Sequence, residues 1–260
     1  MGTSPTRVLE LEDKIRLRQL SFHAPEELHN SAELSAALDE RLEMALDESE
    51  RLRVRADLLF RDQKSPTPLR EDELVELARA KSADLAGVVE YYDARYHRHM
   101  WALVIGVAMT KERVAAAPGP AFRDYSGLKD LQAIESANQI VYALIAMGIA
   151  AVPAVPWGLH TFEMDLVRLG EEAGLGRIGL NHCLLVPGFG PRVKLAAVYM
   201  RPGEGTLRKK KPPLPDVCRA CRLCVPACPA EALQRDDPNR CRLHFRRNHT
   251  CGVCVQVCPL

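Results

Sequence analysis

Eight of the nine cysteines of this chain fall within residues 218–260, in two nested runs. The first is Cys218-x-x-Cys221-x-x-Cys224-x-x-x-Cys228-Pro229. The second is Cys241, followed by Cys251-x-x-Cys254-x-x-x-Cys258-Pro259. So many thiols at such short spacing leave little room for an ordinary apolar core. This end of the chain must organise itself around what the thiols bind.

A cubane cluster needs four thiolates at its corners. Two intervening residues let a tight loop wrap three of them, and the fourth comes from elsewhere. The first run has the bacterial ferredoxin spacing, in which the fourth cysteine reaches the other cluster. The expectation is two [4Fe–4S] clusters. Cys218, Cys221, Cys224 and Cys258 would hold one, and Cys228, Cys241, Cys251 and Cys254 the other. Val257 stands where the second run would have its third cysteine, and Cys241 is expected to fill that vacancy. A zinc ribbon uses two CxxC pairs instead. A disulfide scaffold belongs to short secreted chains.

The net charge of +1 hides a split. Residues 205–260 hold eleven Lys/Arg against four Asp/Glu, or +7, which leaves −6 for residues 1–204. Part of the excess offsets cluster charge. The rest would steer an acidic electron donor such as a ferredoxin or flavodoxin. Contact with RNA through Arg208-Lys209-Lys210-Lys211 is the competing use, although a short basic run in a loop is usually only solvated. The N-terminus lacks a basic-then-apolar signal region, no twin-arginine signal precedes the chain's apolar segments, and no stretch suits a bilayer. A cytoplasmic protein without membrane attachment is expected.

The 260 residues are expected to divide at 1–65, a helical extension, 66–204, an α/β domain, and 205–260, the cluster module. Asn30 with Glu33 resembles a capping box. Leu34, Leu38, Leu42 and Leu46 then mark an amphipathic helix to about Phe60, usable as a docking arm or dimer contact. Pro68 suits the first turn of a helix to about Lys81. Strands are expected at Leu85–Val89, Trp101–Met109, Ala150–Val155, Leu184–Val186 and Lys194–Met200. A long helix should carry Leu128 to Ile145 and close near Gly148. Another should start at a Thr161 cap and end at Ala173, with Gly174 just beyond. The mixture predicts an α/β (α+β) layered sandwich.

Gly174-Leu175-Gly176-Arg177-Ile178-Gly179 matches G-x-G-x-x-G only as a string. The dinucleotide fingerprint needs a strand before it and a helix after it, and here the order is reversed. The glycines still imply positive φ or a close backbone approach to a ligand.

The stretch Glu172-Ala173-Gly174-Leu175-Gly176-Arg177-Ile178-Gly179-Leu180-Asn181-His182 leads to Pro187-Gly188-Phe189-Gly190-Pro191-Arg192 and then to the cysteine runs. This order resembles the epoxyqueuosine reductase and reductive dehalogenase superfamily over about 85–260. The resemblance implies a nitroreductase-like α/β domain with a C-terminal ferredoxin-like module, and a cobalamin that receives electrons from the clusters. The protein would supply binding, orientation and a proton. Gly174, Gly176, Gly179, Asn181 and His182 would face the cofactor. A small organic substrate or a modified nucleoside, with tRNA contact, would lose an oxygen or halogen substituent.

Three departures stand beside the resemblance. Epoxyqueuosine reductases usually continue past the last cluster cysteine, whereas this sequence ends at Leu260. Respiratory dehalogenases usually carry an export signal. The aspartate that donates a proton in epoxyqueuosine reductases falls at His160 here, with Glu163 and Asp165 inside the next helix and off register. His160 is either the acid or a helix-start hydrogen-bonding residue. Cys183 is expected as a buried thiol. His97 and His99 lack a third ligand for a metal. No DxHxxG cobalamin motif is present. Two further readings follow: an electron-transfer protein without its own catalysis, and a corrinoid-reducing activator.

Overall fold

The computed structural model describes residues 32–61, 69–93, 98–155, 165–205, 207, 216–248 and 250–260. Helix α1 (Ala32–Arg61) and α2 (Glu71–Ala80) precede strands β1 (Leu85–Asp93) and β2 (Arg98–Ala108). Then come α3 (Lys111–Val114), α4 (Pro120–Ala146), β3 (Ala151–Ala154), α5 (Leu166–Glu172), β4 (Arg177–Ile178), β5 (Leu184–Leu185) and β6 (Val193–Met200). Five short helices complete the chain: α6 (Asp216–Cys221), α7 (Cys224–Ala227), α8 (Ala232–Arg235), α9 (Pro238–Asn248) and α10 (Val253–Gln256).

Four strands form one antiparallel sheet in the order β1-β2-β6-β3. β2 is central, and its period-two pattern divides two cores. Trp101, Leu103, Ile105 and Val107 pack with α1, α2 and α4, against residues such as Leu74, Ile134, Ile140 and Leu144. Met100, Ala102 and Val104 face the other way, with Tyr199, Val152 and Leu169 of α5. Burial on both faces explains why β2 reads as an apolar run without alternation.

Helix α4 is itself a middle layer. It buries residues around its circumference, including Asp124, Asp130, Ser136 and Asn138. One side meets the sheet and another meets α1. The buried positions of α1 are Leu38, Ala45, Ser49, Leu52, Ala56 and Phe60, while Leu42 and Leu46 are only partly covered. The helix therefore presents an intramolecular stripe to the α/β domain rather than a free docking arm. Polar groups trapped in that seam satisfy one another. Asn138 Nδ2 donates to the Ala45 carbonyl at 3.0 Å, and the Ser49 hydroxyl lies 2.8 Å from Asn138 Oδ1. Arg41 pairs with Glu135 across the same seam.

Several local expectations are corrected. Asn30, Pro68 and Thr161 lie outside the described residues, as does the Glu33 side chain. α2 starts at Glu71, where the Glu73 carboxylate accepts the Arg70 N–H at 2.8 Å. The cap of α5 lies four residues after the expected one. Asp165 caps it by accepting from the Arg168 N–H at 3.1 Å, so Asp165 is not inside the helix. Gly148 and Gly174 close α4 and α5 with φ of 78° and 81°. β5 falls within the strand expected at Leu184–Val186, whereas β4 and its pairing with β5 are new, because so short a strand carries no periodicity to read. Among the described residues, no helix is long and apolar enough to cross a membrane.

Lys194 of β6 and Asp130 of α4 pair at 2.8 Å beneath the sheet, with Asp130 8% exposed and Lys194 22%. Removing one partner strands the other. We expect Asp130→Ala to cost about 3 kcal/mol in urea unfolding, at the low end for a broken buried pair because Lys194 keeps some access to water. Asp130→Leu combined with Lys194→Met should recover most of that loss.

Candidate metal centre

The cysteine-rich segment has no strand among its described residues; its short helices hold one another through the turns that carry the thiols. Cys218 and Cys221 lie on α6 and Cys224 starts α7, with Cys228 just after it. Cys241 lies on α9 and Cys254 on α10, while Cys251 and Cys258 flank α10. α7 packs on α8 and α10, and α8 on α9. All these cysteines are free, and only Cys241 is exposed as a whole residue.

The electrostatics sort them. Burial raises the Cys258 thiol above its ordinary range, and so do nearby Cys218 and Cys221. Burial raises Cys224, followed by Cys254, Cys218 and Cys258. Burial also raises Cys241, with Cys254, Cys251 and Cys228 adding to it, and Cys251, with Cys254 and Cys228 adding. Two neighbourhoods emerge, joined where Cys224 approaches Cys254. Among the described residues, no group of three or more His, Cys, Asp or Glu side chains stands arranged to hold a metal ion. Burial and neighbouring thiols favour the protonated form of Cys224, Cys241, Cys251, Cys254 and Cys258, a state from which metal binding releases protons.

The second run is seated on the α/β domain. Val255 packs against the cluster of Met109, Val114, Ala117, Phe122 and Tyr125. Gly252 has φ of 76°, and a Cβ there would overlap the Phe122 ring. Gln256 Nε2 donates to the Ala115 carbonyl at 2.7 Å. Arg192 donates to the Leu260 carbonyl, beside Gly190.

The glycine loop completes the seat. Gly174 provides the left-handed turn out of α5, and the Leu175 N–H donates to the Gly170 carbonyl at 3.0 Å. The Glu171 carboxylate accepts from Arg177 Nε and from the Ile178 N–H, both at 3.0 Å. A Cβ on Gly176 would run into the Leu185 carbonyl across the hairpin. One on Gly179 would lie 2.6 Å from Leu185 Cδ1. The close approach that these two glycines permit is therefore to their own hairpin.

Asn181 is 7% exposed and bridges the two parts of the chain. Its Oδ1 accepts from the Cys183 N–H at 3.2 Å, and its Nδ2 donates to the Cys254 carbonyl at 3.4 Å. His182 sits at φ 58°, with Nε2 3.2 Å from Asp236 Oδ1. Cys183 is half-buried rather than an apolar core thiol, and its S–H donates to the Asn181 carbonyl at 3.6 Å. The neighbouring Cys254 thiol is pushed far up, by Cys183 ahead of burial. Sequence reasoning missed this contact, because nothing local links positions 183 and 254. His160 and Glu163 lie outside the described residues, as does His97. His99 instead lies 3.1 Å from Glu90, on an exposed strand face.

No protein-family model matches the chain. It is 30% identical over 117 residues to a tetrachloroethene reductive dehalogenase of Dehalobacter restrictus, covering 35% of this chain and 21% of that protein. It is 28% identical over 121 residues to an epoxyqueuosine reductase of Listeria monocytogenes, covering 39% and 31%. A ferredoxin of Pyrobaculum islandicum is 40% identical over 45 residues, 17% of this chain and 42% of the ferredoxin. Thus each match spans less than half of the relative's length. The fold resembles the catabolic reductive dehalogenase NpRdhA solved with 3-bromo-4-hydroxybenzoic acid, with TM-score 0.60 and 19% identity over 81% of this chain and 36% of that one. The chain is thus similar over part of its length to both reductive dehalogenases and epoxyqueuosine reductases, and it shares its antiparallel α/β fold with a reductive dehalogenase.

Proposed function

We propose that the chain is an iron–sulfur oxidoreductase that passes electrons through two [4Fe–4S] clusters to an acceptor bound at its α/β domain. In this reading the domain is nitroreductase-like, spans 66–204, and carries residues 205–260 as a ferredoxin-type module. Cys218, Cys221, Cys224 and Cys258 would hold one cluster. Cys228, Cys241, Cys251 and Cys254 would hold the other. The supporting observation is the interleaving of the two thiol neighbourhoods, in which Cys258 keeps company with the first run and Cys228 with the second. The clusters, when bound, supply one-electron transfer. The chain's own residues orient them: Asn181 and Cys183 tie the glycine loop to Cys254, and Gly252 and Val255 seat the second run. With Cys254 bound as a thiolate, a Cys183 S–H turned from the Asn181 carbonyl toward that sulfur would raise the potential of the cluster.

Cobalamin is the acceptor that the superfamily resemblance implies. The residues assigned to it fit poorly. Gly176 and Gly179 are filled by their own hairpin, and Asn181 is buried against the Cys254 backbone. This same observation favours a second reading, an electron-transfer protein that serves a separate enzyme. Anaerobic reconstitution with iron, sulfide and cobalamin, followed by desalting, separates the two. Corrinoid bands that survive support a reductase acting on a small organic substrate or a modified nucleoside. Cluster bands alone leave the carrier.

The ligand sets are open to direct measurement. We expect about eight irons and eight sulfides per chain from two ferredoxin-type runs. Cys258→Ser should damage the cluster of Cys218, Cys221 and Cys224. Cys183→Ala should keep full iron and lower the potential of the other cluster, seen by titration under electron paramagnetic resonance. Loss of iron in Cys183→Ala would instead make Cys183 a ligand.

His160, where epoxyqueuosine reductases of the superfamily carry an aspartate, is the proposed proton donor. His160→Phe should lower turnover about 10²–10⁴-fold with iron content unchanged, the usual worth of a positioned acid. Unchanged turnover would remove it from the mechanism.

A further inference from the structure

We infer that the outward face of α9 is the docking surface for an acidic protein that delivers one electron at a time. The inference rests on the cluster reading above and assigns it an entry point. α9 carries Arg240, Arg242, Arg246 and Arg247 and no Asp or Glu. Arg240 is turned back into the segment, 2.8 Å from the Ala230 carbonyl and 3.3 Å from Glu231. Cys241 takes part in the thiol neighbourhood of Cys254, Cys251 and Cys228. At about 100° per residue, Leu243 and Arg246 fall opposite Cys241, with Arg242 and Arg247 on their flanks. His244 and Phe245, on the Cys241 side, are half-covered, and Arg242, Leu243, Arg246 and Arg247 are exposed, as is Cys241 itself.

Among the described residues, Arg242, Arg246 and Arg247 form no ion pair. The face is thus a patch of unspent positive charge around Leu243, which is 52% exposed. An apolar anchor among arginines suits a protein partner, because Arg is enriched and Lys depleted at such interfaces. Single-stranded nucleic acid would call for exposed aromatic platforms, and α9 offers none on this side. A carboxylate-rich partner is drawn in by charge complementarity, which acts mainly on the association rate. Docked there, its redox centre is separated from the Cys241 cluster by about one helix diameter, about 10–12 Å. The carrier is oxidised by one electron and the cluster is reduced by one; no bond forms or breaks.

The test uses the full chain, reconstituted with iron and sulfide and mixed rapidly with one of two reductants while cluster absorption is followed. One is reduced flavodoxin, an acidic protein. The other is reduced methyl viologen, a small cation that needs no docking face. In Arg242→Gln/Arg246→Gln/Arg247→Gln, bleaching by flavodoxin at low salt should slow at least about tenfold, within the range of electrostatic steering. Bleaching by viologen and the iron content should not change. The corresponding Arg→Lys triple should keep most of the flavodoxin rate. Wild-type transfer should slow in 1 M salt, where the screening length contracts to about 3 Å.

A Gln triple reduced by flavodoxin as fast as wild type overturns the surface and leaves the clusters standing. Wild type that viologen fails to bleach overturns the cluster reading, and this inference with it. An RNA stem-loop that binds wild type but not the Gln triple, with flavodoxin transfer unaffected, reassigns the face to nucleic acid.

Discussion

The seating of residues 251–260 on the α/β domain is the contact from which the rest of the site follows. A short thiol-bearing segment has too little apolar surface to hold its own shape. This one borrows a wall: Val255 enters an apolar cluster built by α3 and α4, and Gly252 lets the backbone run against the Phe122 ring. Cys251, Cys254 and Cys258 ride on this anchored segment, so both thiol neighbourhoods inherit their position from it. Gln256 and Arg192 add hydrogen bonds at its two ends.

The wall is stiff for reasons visible in the layers. β2 is buried on both faces, and α4 is buried almost all round because the sheet lies on one side of it and α1 on the other. A helix enclosed in this way must satisfy every polar group that it carries. Asn138 does so with Ser49 and Ala45, and Asp130 with Lys194. Motion at the N-terminal end of α4 would move Phe122, and with it the cysteine segment. The layered core is therefore part of the site's geometry.

The glycine loop changes meaning between sequence and structure. Read along the chain, three glycines before an asparagine and a histidine suggest a surface for a ligand. Folded, Gly174 serves the exit from α5, Gly176 and Gly179 serve the hairpin, and Asn181 serves the junction with Cys254. His182 and Asp236, both in left-handed backbone, meet across the same junction. What remains for chemistry is proximity: the loop holds a ninth thiol, Cys183, against one of the eight.

The concentration of thiols at one end of the chain, at spacings that suit a tight loop, could be read without tertiary information. Strands β1, β2, β3 and β6 and helix α4 were legible for a similar reason, since apolar runs long enough to be buried announce themselves. The tertiary structure decided the rest. Whether α1 was an arm or a layer depended on a partner face 89 residues away, where Ser49 meets Asn138. The strand that pairs with β5, at 177–178, was too short to leave a period. The contacts of Asn181 and Cys183 with Cys254 cross 73 and 71 positions, so no window of sequence contains them. Local spacing reports which groups can bind a cluster. Which groups stand next to it is settled by long-range packing, and packing is written in the whole chain at once.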